Sequence, residues 1–226
     1  MAPLWFFLAG IPAALLANLA IRALSRRNAA VEDEDADEAP TRRTLPWQEG
    51  RWPDRVGVAV SAFVPALMAV AGWRFEPVEA AVASVFLVAL LVCTGTDLVD
   101  FRVPNVVTYP GIALALLAAL LIPAGDIVNS AVAALLGGGI FLVMAVLTRG
   151  GIGLGDVKLA VLIGAVLGFP ASYQALALGV IAGGVVIVAL FVAGVVSRRQ
   201  AVPYAPFLAI AAAAVLLTQG PVFGPL

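Results

Sequence analysis

The sequence predicts an all-α, polytopic membrane protein with about eight transmembrane helices and both termini outside the cytoplasm. Three observations lead there. Of its 226 residues, 62% are hydrophobic and 12% charged, against about 45–50% apolar and about 25% charged in a soluble domain. Apolar runs recur along the chain, and a bilayer-spanning helix takes roughly 20 mostly apolar residues. The basic residues gather in alternate connections, the pattern of the positive-inside rule. Backbone polar groups find no water in lipid, so these spans are helices rather than open strands.

The first span covers Pro3–Ala23. No basic residue precedes its apolar run and "IRALSRR" follows it, which favours a retained helix with an outside N-terminus over a cleaved signal. In the polar stretch 25–55, "EDEDADE" (32–38) reads as a solvated linker. Trp47 and Trp52 read as interfacial anchors. Spans at Val56–Trp73 and Pro77–Thr96 come next, then Val106–Ala124, which Pro110 and Pro123 should kink or bound. Ile127–Thr148, Asp156–Phe169, Ala171–Val196 and Val202–Leu217 complete the set. Gly137–Gly139 and the Gly179/Gly183 pair suit close helix packing, and Cys93 a small buried site. This alternation makes 24–55, 97–105, 149–155 and 197–201 cytoplasmic. Of the 13 Lys and Arg residues, all but Arg74 lie in or beside those connections.

With no histidine and one cysteine, a disulfide, a Cys/His zinc site and a His-based triad are excluded. Hydrolytic chemistry is left to carboxylates, hydroxyls or the single lysine, Lys158. There are 14 acids. Most lie in 25–55, and Glu76, Glu79 and Asp126 fall in external turns. Asp97, Asp100 and Asp156 remain, all at cytoplasmic ends of spans. An intramembrane ionisable residue is costly and is a functional hypothesis by default.

The Asp156 helix offers about 15 apolar residues before Pro170, a rise of about 22 Å, short of the roughly 30 Å hydrocarbon core. It should therefore start below the membrane surface, with the glycine-rich "RGGIGLGD" (149–156) dipping inward to meet it. Irregular backbone at that depth needs a water-filled cavity or protein around it. An aspartate there also suits the positive helix end, so a plain cap is the alternative. Its companion is Asp97, which opens "DLVDFRVPN" (97–105). Two carboxylates sharing a cavity can hydrolyse a bond, one taking a proton from water and the other donating to the carbonyl oxygen. Asp100 and Arg102 read as an interface pair. Lys158, two residues after Asp156, does not share its helix face at the i,i+3 or i,i+4 spacing.

These stretches resemble the type IV prepilin peptidases, bacterial members of the GxGD class of intramembrane aspartic proteases. Asp97 with Pro104 and Asn105 is similar to the family's first motif. Gly153, Gly155 and Asp156, with Lys158 after them, are similar to its second. "VPYAPFLAIAA" (202–212) is similar to the opening of its last helix, with Tyr204 and Ala205 in the places of a Phe and a Gly. The resemblance covers about 85–215.

The resemblance implies that Asp97 and Asp156 are the catalytic pair, supported by Gly153, Gly155, Lys158, Pro104 and Asn105, with no metal. It implies prepilin or pseudopilin precursors as substrates, their basic leader cleaved at the cytoplasmic face of the bacterial cytoplasmic (inner) membrane. The lipid bilayer is then the other partner, and nucleic acid is not one. The peptidase region, with seven helices, is expected at 56–226, after a first transmembrane helix (1–24) and a cytoplasmic loop (25–55). Bifunctional members also methylate the new N-terminus and carry two zinc-binding CxxC pairs in that loop, which this chain lacks. Proteolysis is expected to need no cofactor, and S-adenosylmethionine only if methyltransferase activity is retained. The rival class is a small ion-coupled transporter. That class predicts acids near the bilayer midplane and internal symmetry, whereas these acids share one face and no repeat is evident.

Overall fold

A computed structural model describes residues 2–34, 52–123, 125–148, 152–196 and 202–221. Among them the secondary structure is helical: α1 (Ala2–Glu34), α2 (Trp52–Arg74), α3 (Pro77–Asp100), α4 (Asn105–Leu121), α5 (Ile127–Leu147), α6 (Leu154–Leu167), α7 (Ala171–Val192) and α8 (Ala205–Gln219). The chain is a polytopic membrane protein. Helices α1, α2, α3, α5 and α7 are long and apolar enough to cross a membrane. The other three are shorter, with 17 residues in α4, 14 in α6 and 15 in α8. Fourteen residues rise about 21 Å, so α6 falls short of a hydrocarbon core of roughly 30 Å.

Several boundaries differ from the sequence reading. Helix α1 continues to Glu34, into the stretch expected as a polar loop, because Arg, Ala and Glu are strong helix formers whether or not lipid surrounds them. The rest of the acidic run and Trp47 lie outside the described residues, as do 149–151 and 197–201. Pro110 is carried inside α4, which ends at Leu121 ahead of Pro123. Helix α7 stops at Val192, and Gly194 follows with a φ of 72°, a conformation glycine adopts without a Cβ penalty. Helix α6 starts at Leu154, which makes Asp156 its third residue.

Two buried clusters hold the helices together. One joins α1, α2 and α3 through Ala17, Ile21, Val60, Val64 and Val92. The larger runs from α3 to α8 and includes Leu87, Leu90, Leu159, Ile163 and Leu208. Helix α6 sits inside it, packed against α4, α5, α7 and α8. Small residues permit this. A Cβ on Gly164 would stand 2.5 Å from the Ala133 carbonyl oxygen, and one on Gly138 2.4 Å from Val161, so α5 and α6 meet nearly backbone to backbone. The Ser130 hydroxyl donates to the Ala165 carbonyl across the same seam. Gly139 faces open space and takes no part. Helices α1 and α7 instead leave Leu15, Leu16, Leu19, Ile181, Val185 and Val188 exposed, the surface expected of helices that face lipid tails.

Helices α3 and α6 both pack against α4 and α8. Those two shared neighbours bring the last turn of α3 and the first turn of α6 to one end of the bundle.

Candidate active site

Asp97 lies in the last turn of α3 and is 6% exposed. The helix ends at Asp100, and Phe101 takes a left-handed φ of 53° while its N–H bonds to the Asp97 carbonyl at 2.9 Å. An aromatic residue in that region is uncommon and strained. The reversal lets Arg102, Val103 and Pro104 line the same cavity as the Asp97 side chain. The carboxylate is held from another helix: the backbone N–H of Ala205, the first residue of α8, donates to Asp97 Oδ2 at 3.0 Å.

Asp156 is 7% exposed. Gly153 is the extended residue before α6, with φ −73° and ψ 148°, and its N–H donates to Asp156 Oδ2 at 3.2 Å. The Asp156 N–H in turn donates to the Gly153 carbonyl at 3.0 Å. The Gly153 N–H bond to the Asp156 carboxylate is the return half of a capping box, so Asp156 does cap its helix. It also shares a cavity of about 560 Å³ with Asp97. Capping and company coexist, because the cap occupies one carboxylate oxygen.

Two helices begin at this cavity, α4 at Asn105 and α6 at Leu154, and the start of α8 lies behind Asp97, where the Ala205 N–H meets the carboxylate. A helix N-terminus carries partial positive charge and unpaired N–H groups. Buried carboxylates normally need cations or hydrogen bonds. Here the described hydrogen bonds come from backbone N–H groups at helix starts, Gly153 on Asp156 and Ala205 and Tyr204 on Asp97. Carboxylates facing one cavity cannot easily both ionise, so the pair is suited to one acid and one base acting on opposite sides of a reacting carbonyl.

The supporting motif residues divide by role. Pro104 precedes α4, and Asn105 is its first residue. Lys158 Nζ donates to Asn105 Oδ1 at 2.6 Å and lies 5.5 Å from the Tyr109 ring centroid. The helical spacing had set Lys158 apart from Asp156, yet both line the cavity. The cavity wraps the first turn of α6, and the long lysine stem reaches across to α4. A Cβ on Gly155 would stand 3.0 Å from Val103 Cβ, so this glycine lets the 101–104 turn approach α6. Gly153 is different, since among the described residues a Cβ there meets only Asp156 Oδ2, at 3.5 Å, and Gly155 N, at 3.8 Å. Asp100, at the end of α3, is not part of the cavity wall, whereas Arg102 is. Cys93 is buried with a free thiol. No group of three metal-ligating side chains gathers among the described residues.

Sequence reasoning missed the contribution of α8. Its opening segment stood out only as a similarity, and no side-chain pattern marks a backbone N–H as a carboxylate partner. Leu24 and Thr96 of the cavity wall likewise carried no signal, being ordinary residues of apolar spans.

Residues 84–188 match the model of the type IV leader peptidase family. The chain is also 36% identical over 155 residues to the prepilin leader peptidase/N-methyltransferase of Bacillus subtilis (strain 168), an overlap of 66% of this chain and 60% of that relative. The chain thus spans about three fifths of the relative's length. No solved structure matches. Asp97, Asp156 and the motif residues around both fall within 84–188.

Proposed function

Because residues 84–188 match the model of the type IV leader peptidase family, we propose that the chain is a membrane aspartic endopeptidase that removes the basic leader from prepilin-like precursors. The observation that carries this reading is the convergence of Asp97 and Asp156, from α3 and α6, on one cavity. The ionised carboxylate takes a proton from a water molecule as the water oxygen attacks the scissile carbonyl. The neutral carboxyl donates its proton to the carbonyl oxygen. Collapse of the tetrahedral intermediate breaks the C–N bond and returns a proton to the leaving amine. The pair titrates as a unit.

Gly155 and Pro104 shape the turn beside the pair, Asn105 and Lys158 tie α4 to α6, and Gly153 leaves Asp156 uncovered. The substrate is a prepilin or pseudopilin precursor held in the bacterial inner membrane, with its scissile bond just before its apolar helix. The expected topology puts that bond at the cytoplasmic end of the bundle, level with both aspartates. Acids at helix ends on one side fit this better than a transporter with acids at mid-span. Methyl transfer from S-adenosylmethionine is not part of the proposal.

The test is cleavage of a co-expressed prepilin in membranes by wild type, Asp97→Asn, Asp156→Asn and Asp100→Asn. Asn keeps the size and removes the acid. Loss of cleavage in the first two, with Asp100→Asn near wild type at equal protein levels, supports the pair. Cleavage by a well-expressed Asp97→Asn or Asp156→Asn chain removes it.

A further inference from the structure

Asp97 takes its cross-helix hydrogen bond from Ala205, so the position of the α8 start sets where that carboxylate points. Ala205 has a methyl side chain and cannot anchor itself. Its neighbour Tyr204 does so. The Tyr204 phenol donates to the Val180 carbonyl of α7 at 3.0 Å. The ring lies in a notch that exists because residue 183 is glycine, where a Cβ would stand 2.8 Å from Tyr204 Cε2. One turn away, a Cβ on Gly179 would stand 3.0 Å from the Leu208 Cα. The Gly179–Gly183 face of α7 is therefore shaped to the first turns of α8, and the phenol bond fixes the register. Tyr204, Val180 and Gly183 do not line the cavity that holds the two aspartates.

We propose that Tyr204 is a positioning residue for Asp97: by locking the start of α8 onto α7, it sets the Ala205 N–H that aims the Asp97 carboxylate. The inference rests on the peptidase reading of the cavity. A hydrogen bond weakens steeply once the donor is displaced or misaligned, and a misplacement of about 1 Å at a reacting group can cost about 100-fold in rate. Helix α7, which contributes no side chain to the cavity wall, acts on Asp97 through the Tyr204 ring and the peptide N–H groups of Tyr204 and Ala205.

The experiment compares full-length wild type, Tyr204→Ala, Tyr204→Phe and Gly183→Ala in detergent, by prepilin cleavage and by deuterium exchange of the segment that opens α8. Tyr204→Ala is expected to lower kcat about 10-fold or more with KM within about twofold. Its faster deuterium uptake should be confined to that segment. Tyr204→Phe keeps the ring but loses the phenol bond that fixes the register, so its kcat falls between those of wild type and Tyr204→Ala. Gly183→Ala, which crowds the ring from α7, gives the Tyr204→Ala signature in milder form. A rise in KM at constant kcat would mean that Tyr204 contacts substrate, and unchanged kcat and exchange would mean that it positions nothing; either overturns the proposal. If wild type cleaves no precursor, the peptidase reading fails, and the exchange data alone decide whether Tyr204 holds the α8 start.

Discussion

Gly155 stands against Val103 so closely that a Cβ would lie 3.0 Å from both the Cβ and the Cγ2 of that valine. The contact joins the first turn of α6 to the turn after α3, so it sets how near the two aspartate-bearing segments come. Gly155→Ala must push them apart by a few tenths of an ångström. We expect kcat/KM to fall about 5–10-fold, less than the roughly 100-fold cost of a misplacement of about 1 Å at a reacting centre. Gly153→Ala has room and an ordinary backbone conformation, so its melting temperature should stay at the wild-type value. Thermal melts of the two variants in detergent, run beside the cleavage assay, check both expectations.

The two carboxylates should cost the fold stability. Each is buried, and each is held by backbone N–H groups alone, Asp156 by Gly153 and Asp97 by Ala205 and Tyr204 in the described contacts. Burying charge without full compensation is unfavourable, and the neighbouring carboxylate adds repulsion. Asp97→Asn retains an oxygen to accept from Ala205 while removing the charge. A gain of about 1 kcal/mol raises Tm by about 2–4 °C in a chain of this size, and a rise of that order is expected at neutral pH. A lower Tm would assign Asp97 a structural part in holding α8.

Much of this architecture was legible from apolar run length. The observed α2, α3, α5 and α8 each lie within a few residues of the expected spans, because lipid demands continuous apolar helix and loops interrupt it with charge. The shortness of α6 and the placement of Asp97 and Asp156 at one end of the bundle were legible for the same reason. Helix α1 was misjudged past Ala23, since hydropathy marks where lipid ends and not where a helix ends. Helical spacing gave Lys158 no place beside Asp156, and only the resemblance put it in the motif; its flexible stem reaches Asn105 on α4. The Ala205 N–H was invisible because it depends on how α8 docks, a fact of packing with no side-chain signature.

The Lys158–Asn105 bond, at 2.6 Å, should act as a strut between α6 and α4. Charge-assisted hydrogen bonds contribute about 1.5–3 kcal/mol when sheltered, and less at a cavity mouth open to solvent. Lys158→Met keeps the stem and drops the ammonium, while Asn105→Ala drops the acceptor. Each alone is expected to lower kcat/KM by about 5–10-fold, and the double variant no further than the worse single. A double-mutant cycle on cleavage measures this coupling. Multiplying losses would mean that the two side chains act independently, with Lys158 serving the aspartates or the substrate directly.

If one aspartate must be ionised to accept a proton from water while the other must be neutral to donate one, activity needs the singly protonated pair. At low pH both carboxyls are protonated and no base remains. At high pH both are ionised and no acid remains. The pH profile of kcat/KM should therefore be bell-shaped, with slopes of about one on each limb. The two limbs belong to the pair and not to one residue each, so Asp97→Asn or Asp156→Asn should remove the whole bell. Asp100→Asn, which alters charge at the end of α3 outside the cavity wall, should displace its position slightly and keep its shape. Rates of peptide cleavage across the pH range at fixed ionic strength provide the check. A profile with a single limb would mean that only one of the two carboxylates changes protonation in the catalytic range, and proton sharing would have to be abandoned in favour of one aspartate that acts as base while the other only orients water.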